Sequence, residues 1–230
     1  MTRFCIIALI LTTHVFAAES PTGGVVSKSK SLPPKEGVWH GDAPHLFFGG
    51  QAALFCGSHG TFSGGFELPQ RRGEVRTIRY RATFKGELQL KPPLAQRPQK
   101  IAIDEPILMT ERVISQGKRD EIQRFTTELI AVTFRGSGLP QNVSIRESPR
   151  RRSMGKASIA TGAPGSHRIQ SVYEVWLEIS MDGGKTWQVA DNAVTMSLMP
   201  DVKTAKPAAI RKNLTTPERP TGRATVERNR

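Results

Sequence analysis

Cysteine is nearly missing from this 230-residue chain, which has only Cys5 and Cys56. Helical windows are just as scarce, tyrosine occurs only at positions 80 and 173, and acidic residues are outnumbered, 20 against 33 basic ones. No apolar run reaches the ~20 residues that span a bilayer. Each shortage excludes something. Cys5 lies in an N-terminal leader and leaves with it, so Cys56 stands alone and no intrachain disulfide can form in the mature chain. A small disulfide-stapled fold is thereby excluded, and stability must come from a core that about 200 residues can supply as one or two domains. No transmembrane segment is expected after the leader.

The leader itself is legible. Met1-Thr2-Arg3 carries one early positive charge, Phe4 to Leu11 is apolar, and Val15-Phe16-Ala17-Ala18 ends in small residues. This predicts a signal peptide over residues 1–18, cut after Ala17 or Ala18, and a secreted or periplasmic protein. Residues 19–36 are rich in Ser, Gly, Lys and Pro without periodicity and read as a flexible linker.

What the chain has in excess is positive charge, +13 net with a sequence pI near 10.3. Arg150, Arg151, Arg152 and Lys156 form one cluster, and residues 201–230 form a basic, Pro-containing tail expected to be disordered. Such a surface favours polyanions. For an exported protein these are acidic polysaccharide, lipopolysaccharide or a membrane surface, and nucleic acid is not expected.

Between linker and tail the pattern is that of short strands and Gly/Pro turns. Val75, Thr77, Arg79, Arg81 and Thr83 alternate with Arg76, Ile78, Tyr80, Ala82 and Phe84. Leu46 to Cys56 reads as a strand pair bent at Gly49-Gly50, and Pro106 to Ser115 and Glu121 to Phe134 as two further strands. Residues 91–100 carry three prolines and form a connection, a place where the domain could divide into two sub-sheets. The predicted fold is all-β, an antiparallel β-sandwich over residues 37–200.

The clearest element is residues 171–187, SVYEVWLEISMDGGKTW. Tyr173, Val175, Leu177 and Ile179 make one wholly apolar face, Val172, Glu174, Trp176 and Glu178 the other. A tight turn then leads to a return strand over Val189 to Leu198. Ser180, Asp182, Gly184, Thr186 and Trp187 resemble the Asp-box hairpin of sialidase-like propellers and other secreted proteins. That resemblance implies a structural turn: Asp182 accepts hydrogen bonds from turn amides and hydroxyls, Gly184 takes a positive φ, and Trp187 covers the turn. One copy is too few for a propeller. The longer succession Phe125-Thr126-Thr127-Glu128-Leu129, Val143 to Pro149, Ser153 to Lys156 and Val172 to Ser180 is similar to exported bacterial β-proteins of the PEP-CTERM-associated type, though the sorting tail is absent here. The resemblance implies an envelope or exopolysaccharide-matrix protein and brings no catalytic residues.

Three imidazoles, His40, His45 and His59, with Asp42, could hold zinc or copper if strands brought them together, but the spacing matches no defined motif and no metal or cofactor is assigned. Ser58 beside His59 lacks the nucleophile elbow, since adjacent strand residues point apart. Glu147, Glu174 and Glu178 could supply the carboxylate pair of a polysaccharide hydrolase, the competing functional class. Glu174 and Glu178 share a strand face, however, and are expected on its solvated side. The expectation is therefore a structural or binding protein that contacts acidic polysaccharide.

Overall fold

A computed structural model describes residues 24–63, 67–134 and 138–201, the side chains of 57–63 excepted. The expected leader, residues 1–18, and residues 202–230 of the basic tail lie outside the described residues. Thirteen strands form one antiparallel sheet: β1 (Val25–Ser27), β2 (Val38–Gly41), β3 (His45–Phe47), β4 (Ala52–Ser63), β5 (Val75–Leu90), β6 (Gln99–Arg119), β7 (Ile122–Phe134), β8 (Ser144–Glu147), β9 (Ser153–Thr161), β10 (His167–Val175), β11 (Leu177–Ser180), β12 (Gln188–Val189) and β13 (Val194–Met199). No helix occurs among the described residues. The all-β antiparallel class read from the sequence is the one the molecule has.

The strand order is β1-β10-β13-β2-β4-β5-β6-β7-β8-β11-β12, with β3 on the edge of β4. The sheet curls over its own core as a half-barrel, and β9 ties the two limbs, pairing along one side with β10 and along the other with β7. Tyr80 and Phe84 of β5 line the same interior space as Tyr173 of β10, so the limbs face one another across one core. Gly155 marks the tie. A Cβ there would lie 2.6 Å from both Thr127 Oγ1 and the Val172 carbonyl, so only glycine lets β9 approach both neighbours.

Strand chemistry explains the main ladder. In β5, Ile78, Tyr80, Ala82 and Phe84 are buried and their alternates face outward, as the period-two pattern requires. The hairpin to β6 is paired without a break from Val75↔Ile114 to Leu90↔Gln99. The Pro-rich residues 91–98 are therefore only its loop, and the division into two sub-sheets considered there does not occur. The β6–β7 loop is the two residues Asp120 and Glu121, both at positive φ (52° and 60°), a geometry that follows the twist of the flanking strands.

Two readings need correction. The supposed linker contributes β1 from residue 25 onward. Val25 pairs with Ile169 and is 2 % exposed, and Leu32 also enters the core. Its apolar residues are few but sit at the edge of β10, where they have a face to cover. The strand over residues 171–180 is also not continuous, because it breaks at Trp176 into β10 and β11. Tyr173, Val175, Leu177 and Ile179 are all buried as expected, yet Glu178 is fully buried rather than solvated. The return strand splits as well, into β12 against β11 and β13 against β10.

Candidate functional site

Glu178 is the centre of an elaborate polar cluster among the described residues. Its neighbour across the β8–β11 ladder is Arg146, whose Nε and Nη2 donate to Oε2 at 3.0 and 2.7 Å. The loop from Ser148 to Arg152 supplies the rest. Ser148 Oγ donates to Oε1 at 3.2 Å, and Arg150 Nε donates to the same oxygen at 2.9 Å. Ser148 Oγ also accepts from the backbone amides of Arg150 and Arg151, which folds the loop back over the carboxylate. Burial works against ionisation of Glu178. The hydrogen bonds from Arg146 and Ser148 and the charges of Arg150 and Arg146 outweigh it and hold the pKa below the usual carboxylate range.

A second cluster adjoins it. Glu128 of β7 lies opposite Arg112 of β6 and accepts from Arg112 Nη1 at 2.7 Å and from Arg152 Nε at 2.6 Å. The Arg152 hydrogen bond is the main reason its pKa is lowered, against a smaller opposing effect of burial. Glu147 stands near both carboxylates and is pushed up to about 7, chiefly by burial.

The two indoles complete the surface. The Arg146 guanidinium lies 3.9 Å from the Trp187 ring centroid, and that of Arg151 lies 4.3 Å from Trp176. Arg150 Nη2 donates to the Trp187 carbonyl at 2.8 Å, which joins the cluster to the turn. That turn is closed by its own side chains. Thr186 N and Oγ1 donate to the Asp182 carboxylate at 2.9 and 2.6 Å, Ser180 Oγ donates to Asp182 Oδ1 at 2.7 Å, and Gly184 N donates to Ser180 Oγ at 2.8 Å. Gly184 has φ 91°, and Trp187 Nε1 donates to its carbonyl at 3.0 Å. The Thr186 hydrogen bonds hold the Asp182 pKa well below the ordinary value.

Of the four basic residues singled out from the sequence, Arg150 and Arg152 are ion-paired, Arg151 stacks on an indole, and Lys156 is exposed on β9. Arg112, Arg146 and Glu128 were not foreseen as site residues, and Glu178 was considered only as a hydrolase carboxylate, because only the strand register sets these pairs opposite one another. Five guanidinium groups stand with three carboxylates, Glu128, Glu147 and Glu178, an excess of two positive charges when Glu147 is ionised and three when it is protonated. The four paired arginine side chains remain 38–68 % exposed, so their outer edges are open to solvent. Such a surface can hold anionic groups bidentately.

The other candidates are not assembled. Glu174 is exposed on β10, whereas Glu178 is buried with its oxygens taken by Arg146, Arg150 and Ser148, which leaves it no face toward a sugar. His40 is exposed and His45 is fully buried. His59 pairs with Trp39 through the backbone, and its side chain, like that of Ser58, lies outside the described residues. Among the described residues no group of three or more His, Cys, Asp or Glu side chains is placed to hold a metal ion. No described helix is long and apolar enough to cross a membrane. Compared with known protein families, curated proteins and solved structures, the chain finds no match.

Proposed function

We propose that this is a secreted or periplasmic binding protein of the bacterial envelope or extracellular matrix, and that it engages acidic polysaccharide through the arginine-rich face of β6, β7, β8 and the Ser148 to Arg152 loop. The observation that carries the reading is the excess of guanidinium groups over carboxylates on one surface, with two indoles in contact with them. The buried carboxylates set the arginines in place before any ligand arrives, which lowers the entropy lost on binding. Sugar carboxylates or sulfates match the forked donors of arginine. Retention of the protein on alginate or heparin, and its decline as salt rises, tests this directly. A protein that passes through both at physiological ionic strength would refute it.

A further inference from the structure

Between the two limbs of the sheet lies a cavity of about 40 Å³ with almost wholly apolar walls. His45 lines it, fully buried, and neither ring nitrogen makes a hydrogen bond of normal geometry, although the Asn192 backbone lies near enough to favour the protonated ring. Leaving such a group without a good partner is unfavourable, so the position calls for an explanation. The ring is not there by slack packing. Asn192 grips the backbone on both sides of it, accepting from Leu46 N at 2.9 Å and donating to the Pro44 carbonyl at 3.1 Å. Asp191 adds a backbone hydrogen bond to the Leu46 carbonyl at 2.7 Å and accepts from Gly49 N at 2.9 Å. A neutral imidazole carries a free lone pair on one ring nitrogen, and this ring sits at the cavity wall.

The same cavity is lined by sulfur. Cys56, Met109 and Met196 all reach it. Their arrangement follows from the register. Gly41 of β2 pairs with Met196 of β13, and a Cβ at Gly41 would lie 3.1 Å from Met196 Sδ and 3.4 Å from Cys56 Cβ. The missing side chain thus leaves room beside the glycine for the Met196 thioether and the Cys56 side chain. His45 pairs with Leu54, two residues before Cys56 on the same face of β4, which makes His45 and Cys56 diagonal cross-strand neighbours.

We propose that His45, Cys56 and Met196, with Met109 beside them, form an interior site for a soft monovalent cation, Cu(I). Imidazole, thiolate and thioether are the donors that such an ion prefers. Charge selects the ion as well. Binding exchanges the Cys56 thiol proton for Cu(I), which forms a Cu–S bond and releases one proton to solvent, so the cavity stays neutral with no change of oxidation state. A divalent ion in the same place would leave a net positive charge among apolar walls. One cysteine, one histidine and thioethers also form no zinc set, since zinc takes Cys, His and carboxylate ligands.

The test is an anaerobic titration of the full-length protein with Cu(I) buffered by bicinchoninate, repeated with Ag(I) as a redox-silent probe. One ion per chain is expected, with a thiolate-to-metal absorption band and release of one proton. The Cys56→Ala variant should lose the band, whereas Cys5→Ser should keep it. His45→Leu should bind more weakly by about tenfold or more, and its metal-free form should melt higher than the parent, because an unpartnered polar group is gone. Met196→Leu conserves volume and should also bind more weakly by about tenfold. It decides the matter if His45→Leu does not fold. Affinity unchanged in Cys56→Ala or in Met196→Leu, tighter binding of Zn(II) than of Cu(I), or no competition with bicinchoninate would each overturn the site.

Discussion

Glu178 and Glu111 are the same residue type on strands of the same sheet, and each is almost completely buried, at 0 % and 3 % exposure. Their fates differ. Glu178 is ringed by Arg146, Arg150 and Ser148 and its pKa lies below the ordinary range. Glu111 accepts a hydrogen bond from Tyr80 at 3.1 Å, and burial pushes it up to about 8. Burial does not decide whether a side chain is charged; the partners do. The arginine face was built to keep charge, and the interior around Tyr80 and His45 was built to exclude it.

The sharpest way to break this contrast is to strip the partners from Glu178. Replacing both Arg146 and Arg150 by Ala leaves a buried carboxylate uncompensated and should cost about 3–5 kcal/mol, read as a fall in the urea midpoint. Restoring stability by adding Glu178→Gln to that variant would show that the stranded charge, not lost packing, is the cause.

Glu111 should show the opposite behaviour. Its folded pKa lies above its unfolded value near 4.5, so between about pH 4.5 and pH 8 the native state holds a proton that the unfolded chain has released. Stability from this group is full below pH 4.5 and is lost as pH rises toward 8. Glu111→Gln should flatten the decline by about one proton, measured as the slope of unfolding free energy against pH. His45, lowered to about 4, works the other way and removes stability as pH falls from 6.5 toward 4. Glu147, pushed up to about 7, declines in the same sense as Glu111 below that pH. The decline assigned to Glu111 is therefore cleanest above pH 7, and an unchanged slope there would contradict the placement.

A smaller effect is expected at the turn. Asp182→Ala removes the acceptor of Thr186 and Ser180 and should lower the urea midpoint at pH 7. The depressed pKa means that this contribution is present above pH 3.8 and fades as pH falls below it, so parent and variant should converge in acid.

Much of this was legible beforehand and some was not. The alternation over residues 75–84 gave β5 its inward face, and residues 180–187 gave the turn, because both depend on short-range spacing. The ion pairs did not show, because Arg112 and Glu128, like Arg146 and Glu178, are 16 and 32 residues apart and meet only through register. Glu178 looked solvated since an alternating strand places it beside Glu174. The break at Trp176 and the arginine loop put it under cover instead. His45 read only as one of three imidazoles without a metal motif; the fold over it buries it, and Asn192 clamps the backbone on either side.

The binding claim is tested most directly by the salt dependence of alginate affinity in the parent and in Arg151→Ser. Arg151 stacks on Trp176, and the ion pairs around Glu178 and Glu128 do not involve it, so its loss should leave the melting temperature unchanged. The slope of log affinity against log salt should become shallower by about one for this variant, and by roughly three when Arg150, Arg151 and Arg152 are all replaced by Ser. Slopes identical in parent and variants would mean that this face does not hold the polyanion.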